Sequence, residues 1–338
     1  MSRRKLRWGI LGVSNFAVRK IIPAMRTCEY SELTGIASRD GARAKEAAAT
    51  LGIPKSYGSY DELLADPEID VVYNPLPNHL HVLWSIKAAE AGKHVLCEKP
   101  ISTTTADLRS LIDAKNKHRV AVAEAFMIRF HPQWKRVSEL VQSGAIGELR
   151  AVSTCFSYYN ANPENVRNIV DYGGGGMWDI GCYAVNVSRL LFQTEPNAVA
   201  ASFSPDPEFA VDRIASGILQ FEKGQSVFVV GTQMVPYQRV QVFGTKGRIE
   251  VEIPFNALPG EGMRILIDNG TDLRGAGITS EVVEPCDQYT LQADAFSLAV
   301  QGEGTLVNSL EESFGNTAVL EAAFRSKESG RFEVPERL

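Results

Sequence analysis

The sequence predicts an α/β protein of two domains, a doubly wound parallel sheet followed by an α+β domain with a large, mostly antiparallel, open-faced sheet. One observation is the alternation of short apolar runs with helix-like segments in the first third of the chain. Another is the change, from about residue 147, to longer strand-like runs separated by glycine-rich turns. We expect the domains to comprise residues 1–124 and 125–338.

The first domain is expected to hold buried parallel strands joined by helices. Its strand candidates are apolar on both faces, as strands of a covered parallel sheet are. A single helix between two parallel strands forces a right-handed crossover, which indicates a doubly wound sheet. The predicted strands are 7–11, 33–38, 71–74, 94–98 and 120–123, and the predicted helices are 42–51, 80–91 and 105–117.

The second domain is expected to be a sheet built by hairpins, because glycine-containing turns separate several of its strand candidates. The segment 254–278, which contains many glycines and prolines, predicts a loop or an irregular hairpin. The predicted strands are 149–159, 215–221, 226–232, 239–244 and 248–253, and the predicted helices are 178–191, 288–301 and 310–326.

Composition restricts the class of function. The 338 residues are 44% hydrophobic and 22% charged, which is typical of a globular protein. The net charge is −5 and no basic stripe is visible, so we expect no nucleic-acid partner. No apolar stretch is long enough for a bilayer, and residues 2–5 are not followed by the apolar run of a secretory signal. Five scattered cysteines fit a reduced, cytoplasmic protein.

The turn after the first strand resembles the dinucleotide-binding pattern G-x-G-x-x-G/A. Gly12 takes the first position and Ala17 the third, while Ser14 stands where the second glycine is usual. Gly12 permits a tight turn, and a small residue at position 14 lets a pyrophosphate approach the backbone. Asn15 and Phe16 complete the turn, and the helix N-terminus offers free N–H groups to the phosphates. The alternative is a plain structural turn.

The end of the second strand indicates which dinucleotide binds. An NAD enzyme usually places an acidic residue there for the ribose hydroxyls. Here Ser38 and Arg39 end the strand and Arg43 follows one helical turn later. A hydroxyl and guanidinium groups suit a 2′-phosphate, which favours NADP over NAD. The alternative is a helix start in which Asp40 is the N-cap and the arginines are merely exposed.

Two later strands end in polar residues, and the carboxyl ends of parallel strands face the ligand crevice. Lys99 follows one of these strands and precedes Pro100, a placement that packing explains poorly. A solvated lysine is the alternative. His79 and His81 follow the other strand, but two candidate ligands without a third do not predict a metal site.

A second cluster consists of four glycines at 173–176, followed by Asp179 and Tyr183. The glycines allow very close backbone approach to another group. Asp179 and Tyr183 are four residues apart and share one face of a helix. In one interpretation, Asp179 interacts with the helix dipole in the first turn and Tyr183 is a half-buried core residue. In the other, Tyr183 is a proton donor held near a cation.

These motifs resemble the glucose–fructose oxidoreductase / inositol dehydrogenase (Gfo/Idh/MocA) family over nearly the whole chain. A tyrosine at position 183 is similar to the branch of dimeric dihydrodiol dehydrogenase, D-xylose dehydrogenase and sugar ketoreductases. Ile128 departs from the aromatic residue expected in that branch. The motifs that carry the resemblance are Gly9-x-x-Gly12, Pro77-Asn78-x-x-His81, the block from Ala91 to Pro100, the block from Glu124 to Gln133, and Gly174-Gly175-Gly176-x-x-Asp179-x-Gly181-x-Tyr183.

The resemblance implies reversible hydride transfer between a nicotinamide and a carbon that bears a hydroxyl or carbonyl. It implies that Lys99 lies beside the nicotinamide, with a Lys–Pro bond that can be cis, and that Tyr183 is the general acid/base. A neighbouring ammonium would lower the pKa of the phenol from its usual value of about 10. Asp179 would orient Lys99 or a sugar hydroxyl. The remaining expected contacts are Leu76, Asn78, His81 and Glu98 for the cofactor and Arg129 and His131 for a polyol.

The expected substrate is a sugar or a cyclic polyol. A ketoreductase acting on a nucleotide-linked keto-sugar is the alternative, although only Arg167 stands in the loop 160–172 to bind a diphosphate. A third interpretation is a non-catalytic regulator that senses NADP, against which the retention of Lys99 and Tyr183 argues. The open face of the second sheet predicts a homodimer or a higher homo-oligomer.

Overall fold

The computed structural model describes residues 4–338, so residues 2 and 3 of the amino-terminal segment considered above lie outside the described residues. The chain divides into two compact units. It passes from the first to the second between Met127 and Ile128, close to the boundary expected at 124–125, and it also changes unit at several other points. The first unit comprises the described residues up to Ser102, Ala106–Met127 and Asp287–Ser313, and the second comprises Thr103–Thr105, Ile128–Cys286 and Phe314–Leu338.

The first unit is built on a six-stranded sheet in which all neighbouring strands are parallel. The strands are β1 (Leu6–Leu11), β2 (Ser31–Ala37), β3 (Lys55–Tyr57), β4 (Val71–Asn74), β5 (His94–Cys97) and β6 (Val122–Glu124). Their order, β3-β2-β1-β4-β5-β6, is that of a doubly wound sheet. The predicted parallel sheet is confirmed, with the short edge strand β3 in addition.

Helices join the strands of this sheet. Asp40 caps one of them by accepting the N–H groups of Ala42 and Arg43, and Gly52 ends the same helix in the left-handed conformation, with φ of 60°. These helices are α1 (Ile22–Met25), which continues a π-helical turn (Ala17–Ile21), α2 (Gly41–Leu51), α3 (Tyr60–Ala65), α4 (Asn78–Glu90) and α5 (Thr105–His118).

A helix from late in the chain, α8 (Gln288–Val300), packs into the first unit. The indole of Trp8, which is fully buried in β1, donates to the hydroxyl of Ser297 at 3.1 Å and contacts the ring of Phe296 edge-on. The carboxylate of Asp294 accepts the backbone N–H of Tyr30 at 2.8 Å, just before β2. Residues 287–313 therefore complete the core of the first unit, whereas we had expected all of 125–338 to form one domain.

The second unit is built on an eight-stranded sheet, antiparallel except for one parallel pair. Its strands are β7 (Leu149–Tyr159), β8 (Ala198–Pro205), β9 (Asp212–Phe221), β10 (Gly224–Gly231), β11 (Gln233–Gly244), β12 (Arg248–Val251), β13 (Met263–Asp268) and β14 (Ile278–Val283), in the order β14-β13-β12-β11-β7-β10-β9-β8. Its helices are α6 (Pro132–Gln142), α7 (Cys182–Phe192), which follows a π-helical turn (Met177–Gly181), and most of α9 (Leu310–Ser329).

Four elements of this unit escaped prediction, namely helix α6 and strands β8, β13 and β14. Helix α6 begins with an unusual cap, because the imidazole of His131 accepts the N–H of Gln133 at 3.1 Å. Strand β8 is mostly half-buried or exposed, so it lacks a marked apolar face. The segment 254–278, expected to be irregular, contains β13, whose backbone pairs on both sides with β12 and β14.

The glycine run at 173–176 packs against a buried carboxylate. Asp212, 7% exposed at the start of β9, accepts the N–H of Met177 at 2.6 Å. Gly175 has a φ of +111°, and a Cβ there would overlap Oδ1 of Asp212. The glycines thus let the start of the π-helical turn close onto Asp212, which is the close backbone approach that the sequence indicated.

Within residues 4–338, the helices are all too short or too polar to cross a bilayer. The same part of the chain contains no cluster of three or more His, Cys, Asp or Glu side chains arranged to bind a metal ion. All five cysteines are free thiols.

Burial raises the pKa of Asp212 to about 7, above the value of 3.8 for a free aspartate. The pKa of Asp212 is thus higher in the folded protein than in the unfolded protein. Its contribution to stability is complete below the pKa of the unfolded state and is lost as the pH rises through the pKa of the folded state. Asp212→Asn removes this titration. The free energy of unfolding of the variant minus that of the parent protein should therefore be about 2 kcal/mol larger at pH 8 than at pH 5. Urea unfolding of both proteins at pH 5 and pH 8 measures these free energies. A difference between variant and parent that is the same at both pH values would contradict the prediction.

Candidate functional site

The first unit presents a tight turn and a helix N-terminus at the end of β1. Gly12 has a φ of +90°, and a Cβ there would lie 3.2 Å from the side chain of Leu76. The hydroxyl of Ser14 accepts the N–H of Ala17 at 3.1 Å, and residues 15–25 are helical. Phe16 packs its ring edge-on against Tyr289 at 5.7 Å. The turn therefore has the backbone shape that a dinucleotide pyrophosphate requires.

Two arginines lie at the end of β2. Arg43 donates to the carbonyl of Val13 at 2.9 Å, which connects α2 to the glycine turn. Burial raises the pKa of Tyr60, and the charge of Arg39 and its hydrogen bond to the phenol oppose that rise. Asp40 is engaged as the N-cap of α2. This end of β2 presents guanidinium groups and the buried Ser38, a donor set that fits a 2′-phosphate.

His81 lies between the ends of β4 and β5. Its Nδ1 is 2.8 Å from the carbonyl oxygen of Pro100, and its Nε2 is 2.6 Å from that of Leu76. The ring is 1% exposed, and burial lowers its pKa to about 4, with the charge of Lys99 adding to the effect. Both ring nitrogens thus face main-chain oxygens, and the expectation that His81 lines the nicotinamide end stays a prediction.

Asn74 and Asn78 complete the end of β4. The amide of Asn74 donates to the carbonyl of His81 at 3.0 Å and to the hydroxyl of Ser85 at 3.2 Å, and it is fully buried. Asn78 is the first residue of α4 and is partly exposed. Asn74 therefore fixes the start of α4, where Asn78 and His81 both lie.

The end of β5 carries Glu98 and Lys99. The Lys99–Pro100 peptide bond is cis, as expected. The carboxylate of Glu98 accepts from the hydroxyl of Tyr73 and from the N–H of Lys99, the latter at 3.3 Å. Burial raises the pKa of Tyr289, and the charge of Glu98 adds to the rise. The sequence did not predict that Tyr73 and Tyr289 lie near Glu98, because Tyr73 is in a buried strand and Tyr289 is in a helix late in the chain.

In the second unit, Tyr183 lies in an aromatic cluster at the start of α7. Its ring is 5% exposed, 5.2 Å from the ring of Phe255 and 5.9 Å from that of Phe156. Asp179, one turn earlier, is 8% exposed. The ring contacts hold the phenol of Tyr183 in place. Asp179 and Tyr183 are four residues apart and lie on the same helical face, as this spacing predicts.

Asp179 has two partners that the sequence did not predict. The hydroxyl of Tyr158 donates to its Oδ2 at 2.6 Å, and Nε of Arg167 lies 2.9 Å from its Oδ1. Burial raises the pKa of Tyr158, and the charge of Asp179 adds to the rise. Tyr158 is the last residue but one of β7 and Arg167 lies in the loop 160–172, so only the fold brings them to Asp179.

The two expected polyol contacts differ in their surroundings. Arg129 is partly exposed on a short 3₁₀ helix (Met127–Phe130). His131 is 1% exposed, caps α6 through its ring, and has its pKa lowered to about 4 by burial. The structure therefore gives His131 a role in starting α6 that needs no ligand.

Comparisons with known proteins identify the family. Residues 6–126 match a family model described as an oxidoreductase family with an NAD-binding Rossmann fold, and residues 134–250 match the GFO/IDH/MocA C-terminal domain.

Individual proteins agree over nearly full length. An uncharacterized oxidoreductase from Rhizobium meliloti is 46% identical, with 97% of this chain and 99% of the relative covered. A D-xylose 1-dehydrogenase (NADP(+)) from Haloferax volcanii is 38% identical, with 96% and 98% covered. A 3-ketoreductase from Actinomadura kijaniata, solved with NADP and TDP-benzene, superposes with a TM-score of 0.89 at 26% identity, with 96% of this chain and 98% of that chain covered. The chain therefore belongs to the Gfo/Idh/MocA family of oxidoreductases.

Proposed function

We propose that the protein is an NADP-dependent oxidoreductase that transfers a hydride between the nicotinamide and a carbon of a sugar or cyclic polyol. The observation that carries the proposal is the end of β2, where Arg39 and Arg43 lie beside the glycine turn and Asp40 is engaged as a helix cap. The 38% identity to a protein named as an NADP-dependent xylose dehydrogenase supports both the cofactor and the substrate class.

The first unit offers residues for each part of the cofactor. The backbone from Gly12 to Ala17 would hold the pyrophosphate, and Ser38, Arg39 and Arg43 the 2′-phosphate. Bound NADP would supply or accept the hydride. We propose that the nicotinamide end is held by Leu76, Asn78, Glu98 and Lys99, with His81 fixing the two loops that carry them.

We propose that Tyr183 exchanges the proton with the substrate oxygen. A phenol has a pKa of about 10 and needs a nearby positive charge to act near neutral pH, and we assign that charge to Lys99. The buried ring contacts support the assignment, because they hold the tyrosine in one orientation. Asp179 would bind a substrate hydroxyl, with Tyr158 and Arg167 orienting its carboxylate and Arg129 adding a further contact.

Removal of either proposed catalytic group should stop turnover without releasing the cofactor. Tyr183→Phe and Lys99→Ala should each lower kcat by about 100-fold or more, which is the usual contribution of a general acid/base. The Kd for NADP, measured by calorimetry, should change little. Tyr159→Phe, which alters an exposed tyrosine at the end of β7, is the control. Full activity of Tyr183→Phe on every accepted sugar would refute its role.

Arg39→Ala should weaken NADP much more than NAD, because only NADP has the 2′-phosphate that a guanidinium clamps. We expect the ratio of the two Kd values to shift by about 10-fold or more, since a lost charged hydrogen bond costs about 1.5 to 3 kcal/mol. Arg26→Ala is the matched control, because Arg26 bonds to the carbonyl of Leu51. Equal weakening of both cofactors would mean that the phosphate is held elsewhere.

A second candidate function is reduction of a nucleotide-linked keto-sugar. The similarity to the 3-ketoreductase solved with TDP-benzene favours it. The pairing of Arg167 with Asp179 weighs against it, because this pairing engages the arginine of the loop 160–172. A panel of aldoses, polyols and nucleotide-linked keto-sugars, followed by NADPH absorbance, separates the two activities.

We also propose that the protein is a homodimer through the open face of the eight-stranded sheet. Ile218 pairs with Val227 in register, and Val227, Val229 and Tyr237 share this face. Each of these four side chains is more than one third exposed, and such a patch of apolar surface is typical of an interface.

Sedimentation at micromolar concentration should show a dimer, and Val229→Arg should shift it towards monomer because it places a charge in the patch. Glu208→Arg, which changes an exposed residue outside the strands, is the control. A parent protein that sediments only as a monomer would contradict the proposal.

A further inference from the structure

An irregular segment of the second unit carries the ring that packs on Tyr183. We call residues 253–256 the strap. It follows β12 and is neither helix nor strand. Its Phe255 is fully buried, stacks on Phe156 at a centroid distance of 4.7 Å, and lies 5.2 Å from Tyr183. The strap therefore supplies one of the two aromatic contacts to Tyr183 described above.

Side chains from two other elements hold the backbone of the strap. The carbonyl oxygen of the Gln238 side chain, on β11, accepts the N–H groups of both Phe255 and Asn256, at 3.0 and 3.1 Å. On α6, the indole of Trp134 donates to the carbonyl of Pro254 at 2.7 Å, and the amide of Gln133 donates to that of Ile253 at 3.0 Å. Side chains thus bind the polar backbone of a segment that has no sheet or helix partners.

Of the three side chains, Gln238 is the one that bonds to the backbone of a residue in the aromatic cluster, Phe255. It lies opposite Phe156 in the pairing of β7 with β11, so both side chains project from the same face of the sheet. The backbone N–H that it binds belongs to Phe255 itself. The amide of Gln238 thus fixes the backbone of Phe255 directly, whereas Gln133 and Trp134 act on the two residues before it.

We propose that Gln238 is a positioning residue for the acid/base chemistry, acting through Phe255 on the orientation of the Tyr183 ring. This inference rests on the proposed function of Tyr183. Tyr183 is only 5% exposed and its ring contacts both Phe156 and Phe255, so a displacement of Phe255 changes the packing that orients the phenol. Loss of the Gln238 acceptor leaves two N–H groups of the strap unpaired, and Phe255 then moves away from its place against the phenol.

The test compares Gln238→Met, which keeps the length of the side chain and removes the acceptor, with Gln238→Glu, which keeps an acceptor. Gln238→Met should lower kcat about 10- to 100-fold with little change in the KM for NADP, as small misplacements of a reacting group do. Gln238→Glu should restore most of kcat. Gln241→Met is the matched control, because Gln241 lies on β11 and bonds to Glu250.

A double-mutant cycle separates positioning from general damage to the fold. In the Tyr183→Phe background, Gln238→Met should cause no further loss of kcat, because the group that it positions is already gone. Equal losses in both backgrounds would overturn the inference, as would full activity of Gln238→Met. If Gln238→Met does not fold, Phe255→Leu takes its place in the same cycle with the same expectations.

The outcome also distinguishes this inference from the proposed function. If Tyr183→Phe retains full kcat, the assignment of Tyr183 fails, whatever Gln238 does. If Tyr183→Phe is inactive and Gln238→Met is fully active, the proposed function stands and Gln238 has no positioning role.

Discussion

A buried imidazole connects the ends of two neighbouring strands in the first unit, and the geometry of its candidate site depends on that connection. His81 lies within hydrogen-bond distance of the carbonyl oxygens of Leu76 and Pro100. A neutral imidazole has one N–H, so only one of these contacts is a hydrogen bond in the neutral state. Protonation would satisfy both oxygens, but burial and the charge of Lys99 lower the pKa of the ring. The loops after β4 and β5 thus meet at one ring, which places the backbone of Lys99.

In the second unit a buried carboxylate, and not an imidazole, holds the backbone near the candidate residues. A carboxylate, Asp212, takes the N–H of Met177 at the start of the π-helical turn, and the glycine run before it leaves room for that carboxylate. Asp179 lies in the same turn and Tyr183 one turn later. In each unit a buried polar side chain, His81 or Asp212, binds main-chain atoms. The backbone that this contact holds in place is the backbone to which the candidate residues belong.

The sequence was sufficient for the parts of this architecture that depend on local pattern. Apolar runs separated by single helices predict the parallel sheet, and the motif around Glu98 and Pro100 predicts the family. Partners that meet only through the fold could not be predicted, because a sequence does not show which distant residues converge. Tyr158 and Arg167 at Asp179, Tyr289 near Glu98, and Gln238 at the strap are of this kind. The same reason explains why the sequence did not assign α8 to the first compact unit, since the contact of its Ser297 with Trp8 bridges 289 positions of the chain.

That helix has a consequence for how the polypeptide is made. Because 287–313 belongs to the same compact unit as β1 to β6, the largest stretch of the second unit, Ile128–Cys286, is inserted between two stretches of the first. During synthesis the ribosome releases the parallel sheet early, but the indole of Trp8 stays without its Ser297 and Phe296 neighbours until α8 has also been made. The core of the nascent nucleotide-binding unit therefore stays uncovered on one side until the ribosome has passed through the whole of Ile128–Cys286.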